Sequence, residues 1–66
     1  MKLNKRALFT AMANKETNFK QLAYESGIST ATLNKMYRGK AANVQFETLC
    51  KISKTLQIDV NELILD

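Results

Sequence analysis

Apolar residues in this chain recur at three- and four-residue spacing, the period of one face of a helix. Leu8, Ala11 and Met12 mark the first such face and predict a helix over about residues 4–14, with Phe9 at its edge and Lys5 and Arg6 on the wetter side. A second helix is expected from Asn18. Asparagine is a strong N-cap, and Gln21 stands three residues on, the spacing of a capping box. Leu22 and Ala23 point inward, and Phe19 packs under the first helix. Ser26-Gly27-Ile28-Ser29 then breaks the period. Gly27 is expected to turn left-handed, which costs other residues about 1 kcal/mol or more. Small Ala23 lets two helices approach there, and Ile28 fills the space beneath the turn.

A third helix follows Ser29 as N-cap and stops near Gly39. Leu33 and Met36 lie on its buried side with Tyr37 beside them. Residues 40–44 read as a loop. The fourth helix covers about 45–56, with Leu49, Ile52 and Leu56 as its apolar stripe. Asp59 and Glu62 repeat the capping-box spacing and open a short fifth helix, from which Leu63 and Ile64 close the core. The expected fold is all-α: five short helices in a compact bundle, one domain over residues 1–66.

Sixty-six residues lie near the lower limit for a chain that folds without metal or disulfides. The 45% apolar content is ample for a small helical core. Cys50 is the only cysteine and histidine is absent, so no internal disulfide, zinc site or other metal or cofactor site is expected. Cys50 also lacks a second cysteine to resolve an oxidised form, which argues against a redox sensor. Without histidine or paired carboxylates there is no general acid–base set, and an enzyme is not expected. No apolar run approaches the roughly 20 residues of a membrane span, and no signal peptide is evident. The expected location is therefore cytoplasmic.

Charge sharpens the picture. The net charge is +4, with an isoelectric point near 9.5. Residues 27–46 hold three bases (Lys35, Arg38, Lys40) and no acid, while residues 59–66 hold three acids (Asp59, Glu62, Asp66) and no base. A polyanion would be drawn to the first segment and turned away from the second. The third helix carries Ser29, Thr30, Thr32, Asn34, Lys35 and Arg38, a basic, hydrogen-bonding set that fits a DNA major groove. Asn34 can pair with adenine, and Lys35 or Arg38 with guanine, Arg38 being better placed for a phosphate. The opposing reading is an ordinary solvated helix face. Thr30 and Thr32 either read bases or help Ser29 cap the helix. Lys20, beside the start of the second helix, is a further phosphate candidate. Lys5, Arg6 and Lys15 are weaker phosphate candidates, each more often an ordinary surface charge.

Three blocks extend this reading over nearly the whole chain. They are Leu22-Ala23-x-x-x-Gly27-Ile28-Ser29-x-x-x-Leu33, the exit Tyr37-Arg38-Gly39-Lys40, and Glu47-Thr48-Leu49-Cys50-Lys51-Ile52 with Leu56, Asp59, Val60, Glu62 and Leu63. Together they resemble the Cro/repressor-type (XRE-like) helix-turn-helix family of bacterial and phage regulators, most closely its short members made of the DNA-binding domain alone. The resemblance implies a five-helix, lambda-repressor-like fold that binds double-stranded DNA sequence-specifically, most often as a repressor. The recognition helix would span about 29–38. Ser29, Thr30, Ala31, Asn34 and Lys35 would then lie toward base edges, and Arg38 and Lys40 toward phosphates.

The chain departs from the family pattern twice. Phe19 replaces a phosphate-bonding glutamine, leaving Asn18 or Gln21 to substitute or no contact there. Gln45 replaces the Ser or Thr that caps the fourth helix. A homodimer is plausible, with Phe46, Val60, Leu65 and the C-terminal tail as its interface, and no small-molecule ligand is implied. The alternative is a protein-interaction module of antitoxin or anti-repressor type, docking through Leu63, Ile64 and Leu65 beside the C-terminal acids.

Overall fold

Two asparagines open the first two helices in the same way. The Asn4 side chain accepts from the Ala7 N–H at 3.2 Å and starts α1 (Lys5–Asn14). The Asn18 side chain accepts from the Gln21 N–H at 2.8 Å and starts α2 (Phe19–Ser26), the forward half of the expected box. Each bond satisfies an amide that the helix leaves without a partner. The computed structural model describes residues 1–39 and 44–65. The contact expected of Lys40, the remainder of its loop and Asp66 lie outside the described residues.

Gly27 ends α2 at φ +77°, its N–H donating to the Ala23 carbonyl at 3.0 Å. A Cβ built on it would meet nothing within 4 Å. The glycine is therefore required by the backbone angle, not by space. Gly27→Ala should cost about 1 kcal/mol of stability and Gly27→Asn less, read from urea unfolding. Ser29 then caps α3 (Thr30–Tyr37).

Helix α4 (Phe46–Leu56) opens at Gln45 with no side-chain cap bond. The poor cap read from the sequence is thus present in the fold. Gln45→Ser is expected to add about 1 kcal/mol and raise the thermal midpoint by roughly 4–8 °C.

The expected fifth helix is corrected by the structure. Among the described residues there are four α-helices, and the fifth element is one 3₁₀ turn, Val60–Leu63. The capping box forms: Asp59 accepts from the Asn61 N–H at 2.9 Å, and Glu62 accepts from the Asp59 N–H at 3.2 Å. Propagation then fails because the chain extends at Ile64 to enter a strand. That strand, β2 (Ile64–Leu65), pairs antiparallel with β1 (Lys2–Leu3), with Leu3 opposite Ile64 and Lys2 opposite Leu65. The Asn4 N–H donates to the Leu63 carbonyl at 2.8 Å and extends the pairing by one bond.

Every helix and the 3₁₀ turn send at least one side chain into a common core. Leu8, Leu22, Leu33, Leu49, Ile52 and Leu63 are each at most 1% exposed. Tyr37 lies half-buried between α1 and α2, its ring 5.2 Å from Phe9 and 5.7 Å from Phe19. These ring contacts tie the end of α3 to α1 and α2.

Candidate nucleic-acid interface

The exposed stripe of α3 follows from what it buries. Leu33 and Met36 are in the core. At 100° per residue, the opposite side carries Ala31, Lys35 and Arg38, with Asn34 on one flank and Thr32 on the other. Ala31, Lys35 and Arg38 are exposed and Asn34 is half-buried. Together they line a shallow polar cleft of about 330 Å³. Among the described residues, the Asn34 amide makes no hydrogen bond, and Lys35 and Arg38 form no ion pair, the one pair being Lys51–Glu47 on α4. The cationic donors and the amide are thus not consumed internally. The Ala31 methyl keeps the stripe low enough for close approach by another surface.

The other expected positions divide. The Ser29 hydroxyl accepts from the Thr32 N–H at 3.1 Å and lies 2.8 Å from the Thr32 hydroxyl. Both residues are therefore occupied in the cap, as one of the two sequence readings held. Thr30 is exposed on the first turn. At the start of α2, Asn18, Lys20 and Gln21 are exposed, the Asn18 oxygen being used by the cap. Phe19 turns inward, edge-on to Tyr37 at 73°.

The sequence leaves Lys5 between a weak phosphate candidate and a plain surface charge. Its ammonium lies 5.8 Å from the Tyr37 ring centroid, and a Cβ at Gly39 would stand 3.1 Å from it. It therefore sits at the exit of α3. No spacing in the sequence announces this, because it depends on how α1 crosses the end of α3.

The C-terminal docking surface is corrected. Leu63 is fully buried, Ile64 is half-buried in β2, and Asp59 and Glu62 are tied into the capping box. Of the three apolar residues proposed for it, only Leu65 is exposed. A larger apolar groove, about 650 Å³, lies instead along α1 and the start of α2, lined by Phe9, Met12, Ala13 and Phe19 among others. Among the described residues no helix is long and apolar enough to cross a membrane.

Comparison with known proteins agrees with this geometry. The model of the Cro/C1-type HTH DNA-binding domain matches residues 8–65. Over 43 residues, 65% of the chain, the sequence is 44% identical to the HTH-type transcriptional regulator SlrR of Bacillus subtilis (strain 168). The match spans only 28% of that regulator's length. No solved structure gives a significant match. The family match takes in all four helices nearly entire, the turn at Gly27 and the closing 3₁₀ turn, and the chain belongs to the Cro/C1-type helix-turn-helix DNA-binding family.

Proposed function

We propose that the protein is a sequence-specific transcriptional regulator that inserts α3 into the major groove of duplex DNA and represses by occluding a promoter. One observation carries this reading: the acid-free stripe of Ala31, Asn34, Lys35 and Arg38, exposed or half-buried, with its polar groups unspent. Asn34 offers adenine a donor and an acceptor, Lys35 can donate to guanine O6 and N7, and the Ala31 methyl suits a thymine methyl. Thr30 lies at the leading turn for a further base contact. Arg38 and Lys40, with Asn18, Lys20 and Gln21 at the start of α2, supply phosphate contacts that set register.

A homodimer is part of the proposal. The longest extent of the protein is 26 Å, short of the roughly 34 Å between successive major-groove half-sites. One copy reads one half-site. Phe46 and Leu65, each about half exposed at 48% and 49%, are its interface candidates. The groove at Phe9, Met12 and Phe19 favours a second reading, a protein-interaction module on the same scaffold.

The test is fluorescence anisotropy of labelled duplex from the gene's own upstream region and a scrambled control, at 50–300 mM salt. The regulator reading expects the upstream duplex to bind about 10³-fold tighter or more, with log K falling linearly with log salt. Equal weak binding to both would overturn specificity for that region. No binding to either would move the assignment to the protein-interaction reading.

A further inference from the structure

Beside the exit of α3 lies a second, smaller cleft of about 220 Å³. Lys2 and Lys5 stand on it, Gly39 forms one wall, and Leu3, Met36 and Val44 contribute apolar surface. It shares no residue with the Ala31–Arg38 stripe and is reached from β1 and α1.

Three observations bear on its ligand. First, neither lysine forms an ion pair among the described residues. Second, Lys5 and Arg6 occupy the first turn of α1, which holds no acid; cations there oppose the helix dipole. Third, the Lys5 ammonium lies 5.8 Å from the Tyr37 ring centroid and beside Gly39, where a Cβ would stand 3.1 Å from it. The fold thus places an exposed cation, without an ion pair among the described residues, at an unfavourable helix end next to the end of the helix proposed to enter the groove.

We infer that Lys2 and Lys5 hold a backbone phosphate of the duplex, flanking the groove entered by α3. This inference rests on the DNA-binding reading above. Two ammonium groups on flexible stems act as point charges with rotatable donors, so the contact adds affinity without selecting a base.

The test is the salt dependence of binding for Lys2→Gln, Lys5→Gln and the double variant, on both the upstream and the scrambled duplex, together with thermal unfolding without DNA. Arg6→Gln is the control, because Arg6 lines a different cleft with Asn14 and Ile58. The double variant is expected to weaken both duplexes by the same factor, about five- to tenfold near 0.1 M salt, and to reduce the salt slope by about 0.9, with each single variant between it and the parent. Loss of a charge that opposes the dipole should not lower the thermal midpoint, and the Arg6→Gln slope should stay at the parent value. An unchanged slope in the lysine variants would overturn the inference. A lower thermal midpoint with an unchanged slope would also overturn it and assign Lys5 to the α3 terminus. If the parent protein binds neither duplex, the DNA-binding reading falls and takes the inference with it. Parent binding with unaltered variants defeats the inference alone.

Discussion

Leu49→Ala is expected to destabilise the protein by about 2–5 kcal/mol. Leu49 is fully buried on α4, and α4 packs on both α2 and the 3₁₀ turn. Truncating a buried leucine costs about 2–5 kcal/mol, the larger values arising where the surroundings cannot collapse onto the cavity. At about 0.05–0.15 kcal/mol per residue, a 66-residue chain has only about 3–10 kcal/mol in total. The single substitution therefore removes a large share of the stability. Urea titration by circular dichroism checks it. The midpoint should fall steeply with the slope unchanged if the remaining native state is intact. Tyr24→Ala is the matched surface change, since Tyr24 is 88% exposed, and it should stay within about 0.5 kcal/mol of the parent.

Lys35→Ala is expected to weaken binding to the operator duplex by about 5- to 150-fold, equivalent to about 1–3 kcal/mol, and to relax preference at one base pair. Lys35 lies exposed on the α3 stripe and forms no ion pair among the described residues. Alanine is the best helix former, so the fold should keep its thermal midpoint. Anisotropy against a panel of single-base-pair variants separates the outcomes. A loss confined to one position assigns Lys35 to a base edge. A uniform loss with a shallower salt slope assigns it to a phosphate. No loss would return α3 to the reading of a solvated face.

The helices were legible because each carries a local signal. Asn4, Asn18 and Ser29 cap with their own side chains, Gly27 stops α2 by its backbone, and Leu8, Leu22, Leu33 and Leu49 fall at positions their period dictates. The Asp59–Glu62 box was also legible as a start, though not its length, which is set by the strand that follows. Two-residue strands offer no alternation to count, so β1 and β2 carry no signature of their own. The stripe on α3 could be read because one helix supplies all of it. Lys5 could not, since its place depends on α1 meeting the end of α3 at Tyr37 and Gly39. Thr32 meets the Ser29 hydroxyl in the cap, a contact the sequence offered beside a base contact.

The pairing of β1 with β2 has a kinetic consequence. Helix α2 meets α3 across a short turn, whereas the strand pair joins Leu3 to Ile64 and so closes a loop over almost the entire chain. Closure entropy must be met before such a contact contributes, and the strands themselves are only two residues long. The ends should therefore zip last during folding and open first under native conditions, well below the free energy of global unfolding. The cleft at Lys2 and Lys5 exists only in the zipped form. An anion seated there would slow that opening, and the Asn4 amide, bonded to Leu63, is the hydrogen whose exchange would register it.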